Sequence, residues 1–80
     1  MQLATAHREL AGMEADLART RASYFEQLND GSRNITQIQR EVDALTVDAY
    51  TAIIELRGEI TAVETRLRYL DYVAIGQRVE

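Results

Sequence analysis

Apolar residues recur along the chain at spacings of three or four, which is the period of an amphipathic α-helix. We call each such stripe a seam, the face expected to pack on a neighbouring helix. The first seam consists of Leu3, Ala6, Leu10, Met13, Leu17, Tyr24 and Leu28. The second consists of Ile35, Ile38, Val42, Leu45, Ala49, Ile53, Leu56, Ile60, Val63, Leu67, Leu70 and Ala74. The pattern predicts two long helices and an all-α fold.

A cluster of turn-forming residues separates the two seams, with the sequence NDGSRN at residues 29–34. Gly31 can adopt a positive φ, and Asn34 can cap the following helix, with Gln37 completing a capping box. We therefore predict one domain over residues 1–80. It comprises a helix over about 2–29, a turn at 30–34, a helix over about 35–74 and a short C-terminal tail.

A short turn between two helices makes them antiparallel, so the sequence predicts a two-helix hairpin of coiled-coil type, with Leu17 near Leu45 and Leu3 near Ile60. Two consecutive steps of four, from Leu45 through Ala49 to Ile53, interrupt the alternation of threes and fours. Such a stutter locally unwinds a supercoil, and we expect nearly straight packing there.

The two predicted helices differ in length. By the antiparallel register the first helix ends opposite about residue 62, whereas the second seam continues for roughly three more turns. We expect this overhang to bind another protein, because it would otherwise leave large apolar side chains in water. The predicted interface residues there are Val63, Leu67, Tyr69, Leu70, Tyr72, Val73 and Ile75.

A second stripe of small residues runs beside the seam of the first helix. It consists of Ala11, Ala15, Ala18 and Ala22. Small side chains let another helix approach closely, and an 80-residue chain buries only a thin core alone. These alanines are therefore predicted as a further part of the partner interface, and the hairpin is expected to assemble into a helical bundle.

Charge and composition narrow the class of partner. The formal net charge is −4, which disfavours nucleic acid and anionic membrane surfaces. We expect no membrane span and no signal peptide, and hence a protein of the cytoplasm or of an assembled particle. Lys and Cys are absent and Ala is abundant, a bias that suggests a bacterial or phage source.

Residues for catalysis or metal binding are sparse. His7 is the lone histidine, and the pair Glu55 and Glu59 shares a helix face without a following histidine. No Ser or Thr stands beside an evident base, and no glycine-rich phosphate loop is present. The sequence therefore predicts no catalytic, cofactor-binding or metal-binding residue, and no enzyme.

The leading hypothesis is a structural or adaptor subunit that assembles with itself or with a larger complex, such as a secretion apparatus or a virion. The alternative is a small escort chaperone or regulator that masks a partner protein. The size and two-helix layout resemble the WXG100 hairpins, but Asp30, Gly31 and Ser32 stand where that family has its Trp-x-Gly turn. No family is assigned from the sequence.

Overall fold

The computed structural model describes residues 1–78 and, for side chains, residues 1–76. It contains three helices: α1 (Leu3–Leu28), α2 (Ile35–Leu45) and α3 (Val47–Arg78). No strand occurs among these residues, and the prediction of an all-α chain is confirmed. The coiled-coil hairpin stays a prediction. The end of the predicted tail, residues 79–80, lies outside the described residues.

Local hydrogen bonds define the turn between α1 and α2. The Asn29 N–H donates to the Phe25 carbonyl at 3.0 Å, which ends α1. The Asp30 carboxylate accepts from the Ser32 hydroxyl at 2.6 Å and from the Ser32 N–H at 2.9 Å. Gly31 has a φ of 88°, the left-handed conformation expected from the sequence.

The start of α2 is a capping box, as predicted. The Gln37 N–H donates to Asn34 Oδ1 at 2.8 Å, and the Asn34 N–H donates back to Gln37 Oε1 at 3.3 Å. These two bonds satisfy backbone donors that a helix start leaves without partners. They place the first residue of α2 at Ile35, where the sequence predicts it.

Two helices, α2 and α3, stand where the sequence predicts a single helix over 35–74, and α3 continues to Arg78. Thr46 separates them, with φ −114° and ψ 10°. Its hydroxyl donates to the Val42 carbonyl at 2.7 Å, which also accepts from the Thr46 N–H at 3.1 Å. A threonine that bonds back to the preceding turn often bends a helix, and the interruption falls at this bond.

The core lies between α1 and the α2–α3 limb. Its buried apolar residues are Ala6, Ile38, Val42, Ile53 and Ile60. Thr46 is also buried, with 4% of its surface exposed.

This burial corrects the predicted seam. The seam predicted from spacing includes Leu45, but this residue is 52% exposed, and Thr46 occupies the buried position instead. The buried residues are spaced by four from Ile38 to Val42 and again from Val42 to Thr46. The seam therefore passes through residue 46 and not through residue 45. Tyr50, four residues after Thr46, is exposed as well.

Ion pairs connect α1 to the other limb in reverse order of sequence. Arg21 pairs with Asp43 at 2.8 Å, and Glu14 pairs with Arg57 at 3.3 Å. Towards the chain start, the residues around Ala6 border a depression together with Leu56 and Glu59. The described chain is elongated, with extents of 71 × 21 × 15 Å.

Candidate protein interface

The distal part of α3 extends past the region that α1 contacts. The first residues of the chain, Met1 and Gln2, lie beside Leu56 and Glu59, and Ile60 is still buried. We call residues 63–75 the overhang. At 1.5 Å per residue it spans about 20 Å of helix.

The seam continues into the overhang without a change of spacing. Leu67 is 47% exposed and Leu70 54% exposed, whereas Val63, nearer to α1, is partly buried. Both leucines lie beyond Ile60, the last buried residue of α3 among the described side chains. The exposed leucines therefore continue the face that is buried at Ile53 and at Ile60.

The remaining predicted residues of the overhang lie around the rest of the helix. Tyr69 and Tyr72 are three residues apart on one face, and Tyr72 is 76% exposed. Residues two apart on a helix point to nearly opposite sides, so Tyr69 lies away from Leu67. Ile75 is exposed and Val73 is partly buried. The predicted set is thus spread over several faces of the helix.

The four alanines predicted as a second contact, Ala11, Ala15, Ala18 and Ala22, are all exposed. Ala18 borders a groove together with Leu17 of α1 and with Tyr50 and Ile53 of α3. This groove lies well before the overhang along α3. The structure therefore separates the two predicted contact surfaces and does not join them into one.

One apolar stripe on the α3 side of this groove was missed by the sequence reasoning. Val47, Tyr50 and Ile54 are each about half exposed and follow one another at spacings of three and four. The helical spacing of these three residues is visible in the sequence. However, spacing alone does not show which of two neighbouring stripes on a helix faces α1.

Charged and polar groups meet at the centre of the helix pair. Arg21 of α1 pairs with Asp43 and also donates to the Thr46 hydroxyl at 3.1 Å. Both members of the ion pair are substantially exposed, so the pair contributes roughly 0–1 kcal/mol. Its main effect is to connect α1 with the end of α2 and with Thr46 at the break.

The residues considered for metal binding are not brought together. His7, Glu55 and Glu59 are all exposed, and residues 1–78 contain no group of three His, Cys, Asp or Glu side chains placed to hold a metal ion. Within that same range, no helix combines the length and apolarity needed to cross a membrane.

Comparison of the chain with protein-family models, with curated proteins and with solved structures finds no match.

Proposed function

We propose that this chain is a non-enzymatic structural or adaptor subunit, an antiparallel helical hairpin of coiled-coil type that binds a helix of another protein through its overhang. One observation carries the proposal: Leu67 and Leu70 continue the seam that α1 covers elsewhere, yet they are about half exposed. A partner helix bound to the overhang takes the position that α1 has along residues 38–60.

The chemistry of the occupant follows from the chemistry of the seam. A face with apolar residues at spacings of three and four accepts an amphipathic helix whose own apolar residues have the same spacing. Full burial of a leucine is worth about 1.5–3 kcal/mol. Since each leucine is already about half covered, docking gains roughly half of that value at each.

The charges of the overhang favour a protein partner. Glu64 and Asp71 flank Arg66 and Arg68, so neither sign dominates. A nucleic-acid site would instead present a concentration of basic side chains. Mixed charges flanking an apolar stripe are typical of helices that pair with other helices.

The shape of the chain also supports a binding role. The grooves between α1 and α3 are open and shallow, whereas an active site is usually a concave pocket that surrounds its ligand. We place the protein in a larger assembly of the secretion-apparatus or virion type, located in the cytoplasm or within the particle.

Photo-crosslinking of the full chain in its source cell tests the proposal. A photoreactive amino acid at Leu67 is expected to yield a discrete protein adduct, and the same probe at Asp48, on the exposed side of α3, is expected to yield none. Adding Leu70→Asp to the Leu67 probe should abolish the adduct. An adduct that survives Leu70→Asp, or equal labelling from both positions, contradicts docking through the overhang.

The lifetime of the complex decides between two kinds of partner protein. A chase of the purified complex, in which this chain carries a fluorescent label, with excess unlabelled chain measures the exchange. A structural subunit remains bound during the chase. Rapid exchange would instead indicate the escort chaperone considered from the sequence, with the same overhang as its binding surface.

A further inference from the structure

The ion pairs that connect α1 with the α2–α3 limb lie along one edge of the seam. Arg21 pairs with Asp43 at 2.8 Å, and Glu14 pairs with Arg57 at 3.3 Å. Asp43 and Arg57 each stand three positions before a buried seam residue, which places both on the same side of the seam. At both positions α1 supplies the opposite charge.

The same edge continues into the overhang. Positions seven apart share a face of a helix that packs on a neighbour through a seam. We call this row of positions the edge row, and it consists of Asp43, Tyr50, Arg57, Glu64 and Asp71. Glu64 stands three positions before Leu67, as Arg57 does before Ile60. Both edge-row residues of the overhang are therefore acidic.

The helix α1 ends before this acidic part of the edge row. Met1 lies beside Leu56, and Asp71 is 11 residues beyond Ile60, about 16 Å further along α3. Among the side chains that the structure describes, residues 1–76, neither Glu64 nor Asp71 forms an ion pair. The edge row is thus matched in charge where α1 covers it, and it carries two carboxylates where the overhang begins.

The basic residues of the overhang lie elsewhere around the helix. Arg66 stands one position before Leu67, which places it on the opposite edge of the seam. Arg68 stands one position after Leu67, on the side of the carboxylates but turned farther from the seam. The charges of the overhang are balanced in number but separated in position, and the edge row presents acid alone.

This charge pattern favours a foreign helix over a second copy of the chain. When two identical helices pair antiparallel, the same edge of each comes together. Two overhangs docked in this way would set Glu64 of one copy beside Asp71 of the other, which is a repulsive contact. Parallel docking would force the two α1 helices into the same space, because α1 covers the seam up to Ile60. A helix with basic residues at the corresponding positions instead gains the kind of ion pair that Arg21 forms with Asp43.

The start of α1 favours one direction for that helix. The N-cap residue, Gln2, makes no side-chain cap hydrogen bond, and the first turn of α1 has no acidic residue. A helix start carries free N–H groups and a partial positive charge. A partner helix that runs antiparallel to α3, as α1 does, ends at this point and presents its carbonyl groups and its negative dipole end to α1.

We propose that the partner of the overhang is a basic amphipathic helix, with Arg or Lys at two positions seven apart beside its apolar stripe, that continues the line of α1. The apolar stripe covers Leu67 and Leu70, and the two basic residues pair with Glu64 and Asp71. Arg66 on the other edge opposes a helix that is basic along both edges. The inference rests on the proposed function, since it states the chemistry of the helix that the overhang binds.

Two synthetic peptides of about 14 residues, the length of the overhang, test the charge preference. Both carry leucines at helical spacing and a staple on the outer face that keeps them helical. The basic probe has Arg at the two positions that meet the edge row, and the acidic probe has Glu there. By fluorescence anisotropy with the full chain, the basic probe is expected to bind roughly tenfold more tightly, and this preference should fall as salt is added.

Substitutions in the chain test which residues read the charge. Glu64→Arg combined with Asp71→Arg should reverse the preference between the two probes. The matched control is Asp48→Arg combined with Glu55→Arg, which changes the net charge equally on the exposed side of α3 and should keep the preference. Circular dichroism should give equal helicity for both double variants. A preference that changes equally in both would indicate general attraction to an acidic chain and overturn the inference.

A photoreactive group on the basic probe tests the direction. At the C-terminal end of the probe it is expected to label the chain near Met1, and at the N-terminal end near Ala74, as mapped by mass spectrometry. The reverse pattern overturns the proposed direction. Equal affinity of the two probes, tighter binding of the acidic probe, or binding of neither overturns the charge assignment.

The photo-crosslinked adduct from Leu67 separates this inference from the proposed function. Glu64→Arg with Asp71→Arg should abolish the adduct in the source cell, and Asp48→Arg with Glu55→Arg should retain it. An adduct that survives the first pair overturns the basic helix and leaves docking through the overhang intact. An adduct that contains a second copy of this chain also overturns the inference. A native chain that yields no adduct contradicts the proposed function itself.

Discussion

The guanidinium of Arg21 donates a hydrogen bond to the hydroxyl of Thr46 across 3.1 Å, although the two residues lie 25 positions apart in the sequence. The same hydroxyl donates to the Val42 carbonyl at 2.7 Å, and Arg21 also pairs with Asp43. This network inserts a polar group into an otherwise apolar seam. A buried polar residue in a helix pair specifies its register, because any other alignment leaves that residue without partners.

Replacing Thr46 with Val tests the cause of the break between α2 and α3. Valine keeps the shape of threonine but cannot bond back to Val42, so we expect a continuous helix and increased helicity by circular dichroism. The free energy of unfolding should change by less than about 1 kcal/mol, because Val42 keeps its bond from the residue 46 N–H and Arg21 keeps Asp43.

Thr51 provides the matched control for that experiment. Its hydroxyl donates to the Val47 carbonyl at 2.9 Å, the same kind of bond, but it is exposed and lies within the unbroken α3. Thr51→Val should leave helicity nearly unchanged. Equal changes in the two variants would show that the back-bond of Thr46 does not cause the interruption.

The corrected seam predicts different costs for two truncations in α2. Ile38→Ala removes a fully buried side chain and should lower the free energy of unfolding by about 2–5 kcal/mol, or unfold the chain outright. Leu45→Ala removes a similar number of atoms from a half-exposed position and should cost only about 1 kcal/mol, roughly half of the value of full burial. Urea denaturation measures both. A Leu45 variant as unstable as the Ile38 variant would restore the seam predicted from spacing alone.

Residues close together in the sequence predict the helices and the turn. Contacts between residues far apart in the sequence determine the features that the prediction missed. The capping box of Asn34 and Gln37 needs residues only three apart, and Gly31 needs only its own backbone freedom. The choice of Thr46 over Leu45 depends on Arg21, which belongs to another helix. A prediction from apolar spacing prefers leucine to threonine at a buried position. It takes no account of a hydrogen-bond partner 25 residues away.

The same reasoning explains why the exposed apolar stripe of α3 was missed. Val47, Tyr50 and Ile54 have helical spacing, as the true seam does. Which of two adjacent stripes is buried depends on how α2 meets α3 at the break. That geometry follows from tertiary contacts and is not contained in the period of either stripe.

Gly12 is predicted to be a position where a stabilising substitution is available. A Cβ added there meets no atom within 4 Å, and the residue lies inside α1. Gly12→Ala should raise the free energy of unfolding by about 0.5–1 kcal/mol, because alanine loses less backbone entropy on forming a helix. Thermal unfolding measures the shift.

Gly31 provides the contrast to Gly12. It also has open space around it, but its φ of 88° strains any residue that carries a Cβ. Gly31→Ala should therefore destabilise the chain. If Gly12→Ala and Gly31→Ala changed the free energy of unfolding in the same direction, the difference in φ between the two glycines would not determine the effect of the substitution.

The pKa of Asp30 predicts how the turn responds to acid. The hydrogen bond from the Ser32 hydroxyl, followed by that from the Ser32 N–H, lowers the pKa of this carboxyl below its ordinary 3.8. A pKa lowered by folding gives stability that is present above the unfolded pKa and is lost as the pH falls through the folded pKa. Compared with Asp30→Asn, the native chain should be more stable near neutral pH, and the difference should shrink below about pH 4. Urea midpoints over a pH series measure that difference.

Ser32→Ala removes the hydroxyl donor and should return the pKa of Asp30 towards its ordinary value, which carbon-detected NMR titration reports. A stability difference that stays constant down to the lowest pH would show that the carboxylate charge does not stabilise the turn.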